Sequence, residues 1–99
     1  MSFGYIASMR TKPGRRDEVV AILVSGVDGL RAAGCSSYVV GVDEQDPDVV
    51  RVTEVWPSRE SHAASLELPA TKDAIGRAMP MLTGEFAGQE MRIVGGLVP

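Results

Sequence analysis

The sequence predicts an α+β fold of strand-helix-strand-strand-helix-strand order, the ferredoxin-like β-α-β-β-α-β unit. Three observations point to it. Short stretches with apolar residues at every second position alternate with longer ones whose apolar residues recur at helical spacing. The breaks between them fall at Pro13-Gly14, Gly34, Pro57-Ser58 and Pro80. The chain has 99 residues, 44% of them hydrophobic and 23% charged, which suits one domain with one modest core. Residues 1–99 therefore read as a single domain.

Phe3 to Thr11 reads as the first strand, with Phe3, Tyr5, Ala7 and Met9 on one face and Gly4, Ile6, Ser8 and Arg10 on the other. Arg15 to Ala33 reads as one long helix with an apolar stripe of Val19, Val20, Leu23, Val27 and Leu30. Asp17 and Glu18 stand in its first turn, where the helix dipole favours carboxylates. Gly34 is a good helix stop. Gly26 and Gly29 weaken the last two turns, by up to about 1 kcal/mol each relative to Ala.

Ser36 to Val42 reads as the second strand, with Tyr38, Val40 and Val42 on one face, and Val49 to Trp56 as the third. The polar stretch Asp43 to Asp48 is short enough to pair these two strands antiparallel. Ser58 is a suitable N-cap for a second helical region. Pro69 should divide that region into Arg59 to Leu68 and Ala70 to Met79, the latter with Ile75, Ala78 and Met79 on one stripe. Pro80 ends it. Gly84 to Gly88 reads as a loop and Gln89 to Val94 as the last strand. Both helical regions would then cover the same face of a four-stranded antiparallel sheet.

The strands are apolar on both faces. Val50, Val52 and Trp56 share one side of the third strand while Val49 and Val55 share the other, and Val39-Val40 and Ile93-Val94 repeat the pattern. Helices cover only one face, and a second apolar face left bare would be a sizeable exposed patch. A second copy related by a two-fold axis is the simplest cover, so a homodimer is expected. The plainer alternative is that β-branched residues merely suit strands anywhere.

Composition removes several function classes. The net charge is -3, which argues against a nucleic-acid partner, since phosphate binding needs clustered Lys and Arg. Lys12, Arg15 and Arg16 read as a solvated turn and helix start. One cysteine, Cys35, forms no intramolecular disulfide and fits a reducing compartment. Met1 to Arg10 lacks the order of a signal peptide, and the longest apolar run, Val19 to Val24, is too short to span a bilayer. The expected location is the cytoplasm, with no membrane partner. A single His and a single Cys do not build a zinc site, so no metal is expected. No Gly-rich phosphate loop or Gly-x-Ser-x-Gly elbow is present. A Cys35–His62 dyad is conceivable, but Cys35 follows the helix stop directly and reads better as a structural thiol.

What remains is a constellation of Glu54, Trp56, Ser58, Glu60 and His62. Glu54 and Trp56 lie two apart on a strand and face the same side. His62 shares a helix face with Ala63 and Leu66, which should look toward the sheet. Each residue also has a plainer role: Trp56 as core, His62 as a surface side chain near a helix start, and Glu54 as the partner of Arg51 or Arg92.

The stretch Thr53-Glu54-Val55-Trp56-Pro57-Ser58-Arg59-Glu60-Ser61-His62, followed by Leu66-Glu67-Leu68-Pro69, Ile75-Gly76-Arg77-Ala78 and Met79-Pro80, resembles the antibiotic biosynthesis monooxygenase domain. Lys12-Pro13-Gly14 before a long helix is similar to the family's opening, and the resemblance covers nearly the whole chain. It implies a dimeric α+β barrel of two ferredoxin-like units facing sheet to sheet. It also implies oxygenation of an aromatic polyphenol or quinol by O2 with no metal or flavin cofactor. In that picture Trp56 walls the ring and His62 serves as base or hydrogen-bond partner. Tyr38, Arg51 or Glu54 orients oxygens, and Met79, Met81 and Phe86 line the pocket. The chain has no Asn, and of the pattern used by haem-degrading relatives only Trp56 is present, so haem degradation is not expected. The alternative function is a non-catalytic dimeric module that binds a small apolar ligand. A domain whose partner is another protein is the third.

Overall fold

The computed structural model of the protein describes residues 2–97. Its sheet has the order β2-β3-β1-β4, where β1 is Ser2–Thr11, β2 is Ser37–Val42, β3 is Val49–Trp56 and β4 is Leu82–Ile93. Every pairing is antiparallel. This is the ferredoxin-like α+β arrangement expected from the element order.

The register decides which side chains meet. Phe3 lies opposite Trp56, Tyr5 opposite Glu54 and Ala7 opposite Val52, while Tyr38 flanks Glu54 from the other side. These residues share the face covered by helices. Val50, Val52 and Trp56 are buried there, each apolar side chain contributing on the order of 1.5–3 kcal/mol.

The single long helix expected over residues 15–33 is instead two. Helix α1 (Arg16–Ser25) stops at Gly26, whose φ of -100° and ψ of 12° leave the helical path, and α2 (Val27–Ala32) restarts at once. Glycine lacks the propensity to carry a helix through that point. Val19 of α1 is fully buried and packs with Ala78, Met81 and Leu82. A second cluster joins Phe3, Cys35 and Trp56, with Leu30 and Tyr38 against it. Gly34 ends the helical segment at φ +110°, a conformation that L side chains rarely adopt.

Helix α3 (Arg59–Ser65) begins with a reciprocal cap. The Ser61 amide donates to the Ser58 hydroxyl and the Ser58 amide donates to the Ser61 hydroxyl, both at 3.1 Å. The cap aims the first turn so that His62 is buried. Pro69 separates α3 from α4 (Pro69–Ala78), and it does so as the first residue of α4, where its missing N–H costs nothing. A 3-10 turn, Met79–Met81, leads into β4.

β4 differs most from expectation. The segment 84–88, expected as a loop, is strand, paired with β1 through Met9–Phe86, Ser8–Ala87 and Ala7–Gly88. Gly88 is there for contact rather than for a turn. A Cβ on it would sit 2.1 Å from the Tyr5 hydroxyl, so only glycine lets that phenol lie across the strand. Gly84, at φ +95°, falls where the register between Met9 and Thr11 shifts.

The opposite face of the sheet carries Ile6, Val39 and Met91, all exposed in the single chain. Among the described residues no helix is long and apolar enough to cross a membrane.

The reciprocal cap yields a direct expectation. Ser58→Ala should lower the stability of the chain by about 1 kcal/mol, read as a shift of the urea midpoint at constant slope. An unchanged midpoint would mean that the Ser58 hydroxyl contributes nothing to the stability of the helix start.

Candidate active site

A cavity of about 370 Å³ lies between the covered face of the sheet and the helices. Its floor is built from Ala7 and Met9 of β1, Tyr38 of β2, Val52 and Glu54 of β3, and Phe86 of β4. Leu23, Leu30, Leu66, Ile75 and Met79 supply most of the apolar wall. The lining is overwhelmingly hydrocarbon, so the few polar groups in it decide what chemistry is available.

Two of these stand side by side on the floor. Burial pushes the Tyr38 phenol up to about 12, with the neighbouring Glu54 carboxylate and then Cys35 adding to the effect. Glu54 is nearly buried, its side chain 13% exposed, yet it is not stranded. Its Oε1 accepts a hydrogen bond of 2.9 Å from the Trp56 indole N–H, and the His62 Nε2 stands 4.0 Å from the same oxygen. No described residue donates a hydrogen bond to Oε2.

His62 is packed in an aromatic box. Its ring centroid lies 4.7 Å from that of Tyr5, 5.4 Å from Phe3 and 6.0 Å from Trp56. The chain thus places a carboxylate at the cavity surface and an imidazole directly behind it.

The residues expected at the site divide into three groups. Tyr38, Glu54, Met79 and Phe86 line the cavity. Trp56 and His62 do not; they form the layer that supports Glu54, and Trp56 is fully buried against Phe3 and Cys35 instead of walling the space. Arg51 and Met81 lie elsewhere. Arg51 projects from the other face of the sheet, opposite Gly41, and pairs with Asp43, whose carboxyl is held low by the Gln45 and Asp46 amides and by that guanidinium. Met81 is buried with Val19, Ala78 and Leu82. Glu54 pairs with neither Arg51 nor Arg92: Arg51 projects from the opposite face to Asp43, and among the described residues the one hydrogen bond to Glu54 comes from Trp56 through Oε1.

Gly26, Gly29, Ser65 and Ala74 also line the space, and none of them carries a chemical group that marks it as a site residue in the sequence. The available signal was the pair of glycines inside an otherwise helical stretch. Tyr5, which stacks on His62, stands on the face its alternation predicts, and nothing local in the sequence marks it as a site residue. Cys35 is buried, its thiol donates to the Ser37 carbonyl at 3.1 Å, and burial pushes its pKa up, all features of a structural thiol. Among the described residues no three His, Cys, Asp or Glu side chains converge as metal ligands.

A family model, antibiotic biosynthesis monooxygenase, matches residues 2–77. The chain belongs to the antibiotic biosynthesis monooxygenase family. The matched span contains Tyr38, Glu54, Trp56 and His62 and stops short of Met79 and Phe86. A solved Chloroflexus aurantiacus protein named for this family is 45% identical, with a TM-score of 0.87 over 98% of this chain and 97% of that one. A Caulobacter crescentus protein of the same family name has a TM-score of 0.87 at 18% identity, covering 95% of this chain and 91% of its own. A Mycobacterium tuberculosis protein reaches 0.84 at 20% identity, covering 97% and 98%. The last two are similar in fold alone. Among curated proteins none matches the sequence.

The buried phenol gives this family member a marked alkaline behaviour. An unfolded chain ionises Tyr38 near its ordinary value of 10.0, while the folded chain holds the proton to about 12. Between those values the unfolded state sheds the proton first, so the contribution of Tyr38 to stability is full below pH 10 and falls as pH rises toward 12. The denaturation midpoint of wild type should fall relative to that of Tyr38→Phe as the pH rises across this range. Parallel curves would show that the phenol is not protected.

Proposed function

We propose that this protein is a monooxygenase that uses O2 on an aromatic polyphenol or quinol bound in the cavity, with Glu54 as the base. One observation favours it above the others: a carboxylate with an uncommitted oxygen stands in an apolar cavity, and an imidazole backs it. Family membership supports the reaction class.

The chemistry asks little of the protein. An electron-rich phenol becomes a far better reductant of O2 once it loses its proton. Glu54 takes that proton, and the Tyr38 hydroxyl donates to a neighbouring oxygen of the ring system. The anion passes an electron to O2, and the resulting pair recombines to a peroxide on a ring carbon. Loss of water from the peroxide leaves the carbonyl, and the proton held by Glu54 leaves with the departing hydroxide. For a methylene carbon the balance is CH2 plus O2 to C=O plus H2O, so the substrate supplies every electron and no further reductant enters. The apolar wall excludes bulk water from the anion and the peroxide.

His62 does not touch the cavity and acts as a positioning residue. Its ring stands 4.0 Å behind the carboxylate, and the Trp56 N–H keeps that carboxylate turned to the floor. We place the protein in the cytoplasm on its single unpaired cysteine.

Oxygen uptake with a panel of hydroxynaphthoquinols and anthrones tests the activity. Glu54→Gln should cut kcat by about 100-fold or more, the usual worth of a positioned base. His62→Ala should cut kcat less and leave KM nearly unchanged, as expected of a group that positions the base without touching the substrate. No turnover above the non-enzymatic rate on any member of the panel would overturn the proposal. A ligand that binds and is recovered unchanged under O2 would make the chain a binding module instead.

We also propose that the working unit is a homodimer joined through the outer sheet face, where Ile6, Val39 and Met91 stand exposed. Light scattering at micromolar concentration should give twice the 10.5 kDa of one chain, and Ile6→Lys should return it to 10.5 kDa. A wild-type species of 10.5 kDa would sink the dimer.

A further inference from the structure

Two of the residues that line the cavity carry no side chain. Gly26 joins α1 to α2, and Gly29 lies inside α2. Neither is needed by the backbone: the described glycines in the left-handed region are Gly14, Gly34, Gly84 and Gly96. Neither is needed by packing, because a Cβ built at either position meets nothing within 4 Å. Gly88 is the contrast, since the Tyr5 hydroxyl fills the place of its side chain. Apart from proline, glycine is the residue helices favour least, so Gly29 weakens α2 with no local gain, while Gly26 marks the break before it. What the two positions share is the cavity, which both of them line. Ala70 and Ala74 of α4, which carry only methyl groups, line it as well.

We infer that Gly26 and Gly29 set the size of the ligand, keeping open a backbone-walled slot that admits a flat fused-ring phenol or quinol. This rests on the reading of the cavity as a substrate site and narrows that reading to a size class. A ring lying on a glycine segment approaches the main chain at contact distance, about 3.5–4 Å between carbons, which any side chain would prevent. The cavity, at about 370 Å³, is near the lower end of the roughly 300–1,000 Å³ usual for small-molecule sites. One aliphatic side chain therefore removes a sizeable share of it. A ligand filling the slot places its edge over the floor, where Tyr38 and Glu54 meet its oxygens.

Binding, rather than turnover, separates this inference from the oxygenase proposal. Two unreactive or slowly reactive probes are compared by calorimetry under anaerobic conditions: a dihydroxyanthraquinone with three fused rings, and hydroquinone with one. Gly29→Leu should raise the Kd of the tricyclic probe by at least about 10-fold and that of hydroquinone by less than about 3-fold. Gly29→Ala and Gly76→Ala keep the test sound if the leucine variant folds poorly. Both put alanine into a helix and should raise Tm alike, Gly76 lying in α4 outside the cavity. Only Gly29→Ala should weaken the tricyclic probe, by roughly 3-fold. Equal affinity for the tricyclic probe in wild type, Gly29→Leu and Gly29→Ala overturns the inference and leaves the oxygenase proposal standing. A wild-type chain that binds neither probe overturns both.

Discussion

A carboxylate kept inside an apolar layer is the constraint on which the rest of this structure depends. Glu54 lies on the covered face of β3, whose other inward residues are Val50, Val52 and Trp56. A charge in such a place is costly unless it is hydrogen-bonded. The Trp56 indole supplies that bond from two residues along the same strand, where the pleat turns both side chains the same way. Trp56 is thereby tied to two duties. Its ring fills the core with Phe3 and Cys35, and its one polar atom orients the carboxylate.

The antiparallel register builds outward from that pair. It sets Tyr5 on one side of Glu54 and Tyr38 on the other. The two phenols differ in task because different things cover them. Tyr38 meets the cavity, and burial keeps it protonated. Tyr5 is roofed by the His62 ring and runs out over Gly88. His62 reaches this position because the reciprocal Ser58–Ser61 cap starts α3 immediately after β3 ends. A local backbone motif thus determines where the only imidazole of the chain stands relative to its only deeply placed carboxylate in the cavity lining.

Glycine explains both misplaced boundaries. In the sequence Gly26 reads as a weak point within one helix, and in the fold it is where the helix divides. The glycines at 84 and 88 suggested a loop, because glycine in a sequence marks flexibility and close contact in the same way. In the fold one accommodates a register shift and the other a phenol, and the strand runs through both. Nothing within the segment distinguishes these cases. The distinction lies in β1, more than seventy residues away in sequence, whose hydrogen bonds hold β4 extended.

The sequence by itself determined the element order, the two-sided apolar character of the strands, the Ser58 cap and the shared face of Glu54 and Trp56. These follow from periodicities of 2 and 3.6 and from residues that cap or break elements, all of which act over a few positions. Only the tertiary structure decided that Trp56 belongs to the core and Glu54 to the cavity, that Arg51 and Met81 stand outside it, and that Gly26 and Gly29 face it. A cavity is the space left between elements after they pack. Its walls come from four strands and the helices above them, and the lining depends on how far each helix stands from the sheet, which no single stretch of sequence encodes.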